Sequence, residues 1–141
     1  MFKVVYDTNV VVSGLLSNRG IPALLLDLAF NKRVSLFLSA EIFDEYERVL
    51  RRPIFRIQPR QRESVLRQLR SLAHWTEPCE RVEAARDPDD NRFLECALAG
   101  EVEFVVTGNL RHFPRTFRGI RVLSPRQFFE IYCQSVAPEQ N

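Results

Sequence analysis

Four short apolar runs punctuate the chain: Val4-Val5-Tyr6, VSLFL at 34–38, FVVT at 104–107, and IRVL at 120–123. Runs of this length, rich in β-branched and aromatic residues and bounded by turn residues, read as buried strands. Between them the apolar positions recur at helical spacing. Ile21, Leu24, Leu25 and Leu28 form one seam after the turn Asn18-Arg19-Gly20, with Pro22 placed in the first helical turn. Ile42, Tyr46, Val49 and Leu50 form a second behind Ser39, a good N-cap, and Pro53 ends it. Val65, Leu66, Leu69 and Leu72 predict a helix over 61–73. Phe93, Leu94, Ala97 and Leu98 predict one that opens at Asp87-Pro88-Asp89-Asp90 and stops at Gly100. Phe128, Ile131 and Tyr132 follow Ser124-Pro125 on a last helix. Residues 10–16 read as a short helix weakened by Gly14 and Ser17, residues 75–77 as a short strand, and 108–117 as a loop with one helical turn.

Strands alternating with helices argue for an α/β fold on a parallel, doubly wound sheet. No repeat or linker interrupts the alternation, so one domain over 1–135 and a flexible tail at 136–141 are expected. Phe55, Phe113 and Phe117 either complete the core or serve a surface between two copies.

Composition narrows the class. The chain has 141 residues, 45% hydrophobic and 27% charged, which suits a globular domain. No apolar run approaches the roughly 18 residues of a membrane span. MFKVVYDTN enters a strand-like run at once and shows no secretory pattern, so a cytosolic chain without a membrane partner is expected. Cys79, Cys96 and Cys133 lack C-x-x-C spacing, which argues against a zinc site or a disulfide framework and for free, buried or partly buried thiols.

Net charge is only +2, but its distribution is uneven. Residues 48–70 carry eight arginines against the single acid Glu63, and 104–129 carry five arginines and no acid. Residues 77–103 between them are acid-rich. Such segregation suits a surface that grips phosphates beside a pocket that holds metal ions; general solvation explains charge pattern alone equally well.

The acids fall where an open parallel sheet binds ligands, at the carboxyl ends of its strands. Asp7 follows the first strand, Glu45 lies about two helical turns past Ser39, Asp90 opens the helix before FVVT, and Asn109 follows that strand by two. Clustered carboxylates repel, and a divalent cation relieves the repulsion. Oxygen-only ligands select Mg2+ or Mn2+, which activate water and neutralise charge on a phosphoryl oxygen. Each acid also has a plainer reading. Asp7 can be a turn residue or N-cap, Glu45 can pair with Arg48, and Asp87, Asp89 and Asp90 can cap the helix that follows. Thr8 and Thr107 can hold a carboxylate or water through their hydroxyls, and Arg111 and His112 can meet phosphate.

DTNVVVSGLL, SAEIFDEYERVLRRP, DPDDNRFLECALAGEVEFVVTGN and LSPRQFF, in that order, resemble the PIN-domain superfamily, and within it the toxin–antitoxin group related to VapC-type ribonuclease toxins. The likeness covers about residues 3–130. It implies a three-layer α/β/α fold around a central parallel sheet of four to five strands. It also implies a Mg2+- or Mn2+-dependent endoribonuclease. Asp7, Glu45 and Asp90 match the family's acids, with Asp87 as an accessory ligand. Asn109 stands where many relatives carry aspartate; it can ligate through its carbonyl oxygen but supplies no charge, which puts two-metal chemistry in doubt.

Asp7, Glu45, Asp90 and Asn109 are therefore the catalytic candidates. Thr8, Asn9, Arg52, Thr107, Arg111 and His112 are the substrate-binding candidates. The implied partners are RNA, an antitoxin protein and a second copy in a homodimer. The alternative is an RNA-binding PIN domain with little or no catalysis, regulated by a partner protein. A phospho-accepting aspartate pocket is disfavoured, because such a site typically uses a late lysine and none follows Lys32.

Overall fold

A computed structural model describes residues 1–137. The strands are β1 (Lys3–Tyr6), β2 (Ser35–Leu38), β3 (His74–Trp75), β4 (Phe104–Val106), β5 (Thr116–Phe117) and β6 (Ile120–Leu123). The helices are α1 (Thr8–Leu16), α2 (Ile21–Phe30), α3 (Ala40–Leu50), α4 (Pro59–Leu72), α5 (Asn91–Ala99) and α6 (Pro125–Val136). They build one six-stranded sheet in the order β3-β2-β1-β4-β6-β5, parallel throughout except for β5. The chain steps outward from β1 through β2 to β3, then crosses back to place β4 on the other side of β1. The order therefore reverses between β1 and β4, which is where doubly wound sheets open a ligand crevice.

Both faces of the sheet centre are covered. Val4, Val5, Tyr6, Val105 and Val106 are all fully buried, although alternate residues of a strand point to opposite faces. That explains why β1 and β4 read as continuous apolar runs. Six strands exceed the four to five expected. The addition is β5, inside the segment read as a loop: Arg118 and Gly119, both at positive φ, make a two-residue turn that folds Phe117 back onto Ile120.

Other differences are local. In α2 the buried residues are Leu25, Leu26 and Ala29, while Leu24 is exposed, so the seam is rotated from the one read in the sequence. Gly14 lies where α1 meets α2: a Cβ there would come within 2.5 Å of Leu26 Cδ1 and 2.9 Å of the Pro22 carbonyl. The glycine weakens the helix but permits the close approach. Phe113 is buried, and Phe55 and Phe117 pack against the core, so all three complete it. Cys96 is buried as expected, but Cys79 and Cys133 are exposed. Val136 closes α6 rather than starting a frayed tail, and 138–141 lie outside the described residues. Among the described residues no single helix is long and apolar enough to cross a membrane.

Candidate active site

Asp7 leaves β1 at the point of reversal. Its backbone N–H still donates to the Val106 carbonyl at 2.9 Å, which locks it to β4 as the helix α1 begins. Its side chain is only 6% exposed. The Thr107 hydroxyl, at the end of β4, donates to Asp7 Oδ2 at 2.7 Å, and Asn9 Nδ2 donates to the same oxygen at 3.2 Å. Asn9 Oδ1 in turn accepts from the Gly108 N–H at 3.0 Å, and Thr107 Oγ1 accepts from the Asn109 N–H at 3.0 Å. Five polar contacts thus tie the ends of the two central strands around one carboxylate.

Burial pushes the Asp7 carboxyl up to about 6; the Thr107 hydrogen bond acts against the rise, and the negative charges of Asp90 and Glu45 add to it. Those two acids face the same space from other elements. Glu45 projects from α3, where the Thr8 hydroxyl donates to its Oε2. Its other oxygen lies 3.6 Å from Arg92 and 3.9 Å from Arg48. Asp90 ends the 3₁₀ turn Pro88–Asp90 that leads into α5. Its pKa is raised by burial first and then by Asp87, with His112 lowering it; His112 Nδ1 lies 3.6 Å from its Oδ2. Among the described residues, no group of three or more histidine, cysteine, aspartate or glutamate side chains stands close enough together to hold a metal ion as the side chains lie here. The acids border one acidic mouth, close enough for the charges of Asp90 and Glu45 to act on Asp7.

The remaining candidates divide. Asp87 caps the turn, accepting from the Asp89 N–H at 3.0 Å, and is exposed. Asn109 is exposed, and its side chain has no hydrogen-bond partner among the described residues. Arg111 lines a groove of about 590 Å3 with Arg115, Arg121 and Gln127, over the floor of Phe113 and Leu123. That groove begins at Leu110, next to Asn109. Arg118, from the same stretch, pairs with Glu80 instead. Arg52 lies past the end of α3, and a rise of 1.5 Å per residue carries it roughly 10 Å from Glu45, away from the acids. Of the eight arginines in 48–70, Arg48, Arg51, Arg62 and Arg70 face acids at Glu45, Glu47 and Glu63. Arg52, Arg56, Arg60 and Arg67 have no acidic partner among the described residues.

Three contributors were not singled out in the sequence. Tyr46, read as core, donates its hydroxyl to the Tyr6 carbonyl, and the Tyr6 hydroxyl donates to the Leu25 carbonyl at 2.9 Å. This pair braces the residue before Asp7. Asn91 is buried; its Oδ1 accepts from the Ala84 and Ala85 N–H groups at 3.0 and 2.8 Å, and its Nδ2 donates to the Pro88 carbonyl at 3.1 Å. It pins the loop that delivers Asp87 and Asp90. Arg92 bridges Glu45 and Asp89 while its Nε donates to the Asp89 carbonyl at 2.8 Å. An asparagine directly after three aspartates in DPDDN was the available signal for Asn91; the tyrosine and arginine pairings depend on the tertiary fold.

A family model described as "PIN domain" matches residues 3–111. An uncharacterized protein of Methanocaldococcus jannaschii is 30% identical over 110 residues, covering 76% of this chain and 70% of that protein. The crystal structure of VapBC2 from Rickettsia felis, bound to a DNA fragment from their promoter, has a chain that superposes with a TM-score of 0.55 at 12% identity, over 87% of this chain and 98% of that one. That likeness is one of fold.

Proposed function

The chain belongs to the PIN domain family, and from that premise we propose that it is a metal-dependent endoribonuclease, the toxin-like member of a pair held in check by a partner protein. The observation that carries the reading is Asp7: a buried carboxylate at the sheet's reversal point, raised to about 6 by desolvation and by two like charges. A cation placed there would relieve both causes. Asp7, Glu45 and Asp90 offer only oxygen donors, a set that fits Mg2+ or Mn2+. Asp7, Asp90 and Glu45 would hold the ion, which when bound activates water and neutralises charge on a phosphoryl oxygen.

The chain's own residues supply the rest. Thr107 and Asn9 hold Asp7 in one rotamer, and Thr8 does the same for Glu45. Arg111, Arg115 and Arg121 receive backbone phosphates along their groove, with His112 at its site end. Attack of water on phosphorus in line with the P–O3′ bond breaks that bond and leaves 3′-hydroxyl and 5′-phosphate ends. An antitoxin partner is in keeping with the VapBC2 fold neighbour.

One observation favours a second reading, RNA binding with little catalysis: Glu45 is already compensated by Arg92 and Arg48. Incubating a structured RNA with purified chain in Mn2+, Mg2+ and EDTA, beside Asp90→Asn, separates the two. Cleavage in metal that EDTA and the variant both abolish supports the nuclease. RNA binding that persists in EDTA, with no cleavage in any metal, supports the second reading. Cyclic 2′,3′-phosphate ends would contradict attack by water.

A further inference from the structure

A separate pocket of about 230 Å3 is lined by Asn9, the hydrogen-bond partner of Asp7, and by Asn109. Its walls are Asn9, Val10, Ser13, Pro22, Asn109 and Pro125. None of them carries a charge, in contrast to the acids and to the arginine groove. A phosphate would find no cation there. The volume falls below the roughly 300–1,000 Å3 of sites for drug-sized ligands, so the pocket suits one ring system rather than a whole nucleotide. Val10, Pro22 and Pro125 offer apolar walls. The Asn109 amide and the Ser13 hydroxyl offer hydrogen-bonding groups with no partner among the described residues. Asn9 is fixed, with its amide spent on Gly108 and Asp7, so it forms a rigid wall that joins the pocket to the catalytic carboxylate.

An uncharged, flat ring with donors and acceptors on its edge is what those groups recognise, and in a nucleic acid strand that is a base. We propose that this pocket receives one unpaired nucleobase of the RNA, next to the acids where the strand would be cut, and so gives the chain a base preference. Single-stranded RNA is read in this way, by bases splayed from the stack and hydrogen-bonded along their edges. The inference rests on the RNA reading above and adds to it which part of the strand is read, and where.

The test measures binding of labelled rA5, rC5, rG5, rU5 and an abasic pentamer to the full chain in EDTA, together with cleavage in Mn2+. Ser13→Leu fills the pocket from an exposed helix position, and Asn109→Ala removes its free amide without touching the helix. Thermal melts confirm that each variant is folded. One homopolymer should bind about two- to tenfold more tightly than the others, the scale of a single net hydrogen bond, and the abasic strand should bind most weakly. Either variant should bring the four to within about twofold while leaving the salt dependence of binding unchanged. Equal binding of all four by the wild-type chain, or a preference that survives both variants, overturns the pocket while leaving the nuclease intact. Absence of both binding and cleavage for every RNA overturns the RNA reading and this inference with it.

Discussion

The two sides of the acidic mouth are built differently. Asp7 stands on the sheet: its backbone continues the β1–β4 ladder, Thr107 and Asn9 fix its carboxylate, and Tyr46 braces the strand beneath it. Asp90 stands on a single 3₁₀ turn between a loop and α5, in a segment pinned chiefly by Asn91. One side is held by the sheet and desolvated at a cost in stability; the other rests on fewer contacts and is more solvated. An ion held between such halves would have one ligand fixed by the sheet and one carried on a loop-borne turn.

The largest effect that tests this contrast is that of Asp7→Asn. Metal-dependent cleavage should fall below detection. Metal-free stability should rise, because Asp7 is raised from 3.8 to about 6. A raised carboxyl means that the folded chain binds its proton more tightly than the unfolded chain does. Its contribution is most favourable below about pH 4, declines between pH 4 and 6, and is a full penalty above pH 6. The variant should therefore gain up to on the order of 3 kcal/mol in urea melts at pH 7.5, shrinking toward nothing at pH 4. Equal stability at pH 7.5 would mean that the carboxylate is not desolvated.

Asn91→Ala attacks the loop-borne side. It strands the Ala84 and Ala85 N–H groups and should cost about 1–3 kcal/mol. Amide exchange should quicken in 82–90 but not in β1 or β4, and cleavage should drop about 10- to 100-fold, as when a supporting shell is removed. Thr107→Val takes from Asp7 the hydrogen bond that lowers its pKa, so the acid limb of the pH–rate profile should move upward while the rate at pH 8 changes less. Tyr46→Phe should be mildest, at about 1 kcal/mol, with a lower melting temperature and nearly unchanged cleavage in metal. A large loss of activity from that variant would show that the brace sets the position of Asp7 and not merely its stability.

The frame of the site was legible because its causes are local. Buried strands announce themselves as apolar runs, and a carboxylate directly after one is visible in the sequence. The two-residue strands β3 and β5 carry too little pattern to set their extent, and β5 depends on the turn at Arg118-Gly119. The rotated seam of α2 reflects its packing on α1 at Gly14, which 3.6-residue spacing does not encode. Tyr46 and Asn91 act through backbone carbonyls and N–H groups, which every residue has, so side-chain identity alone does not reveal them. Arg51 and Arg70 each reach an acid on another helix, Glu63 and Glu47, and counting charges along the chain cannot anticipate that pairing.

The two margins of the sheet have a bearing on self-association. An open row of backbone N–H and C=O groups is a template for adding a strand from another copy, and short margins blunt it. Here both margins are two residues long, and the β5 side is flanked by Arg115 and Arg118. A copy docking strand to strand would find almost no ladder to extend. Any pairing of folded copies would therefore have to use surfaces other than these margins.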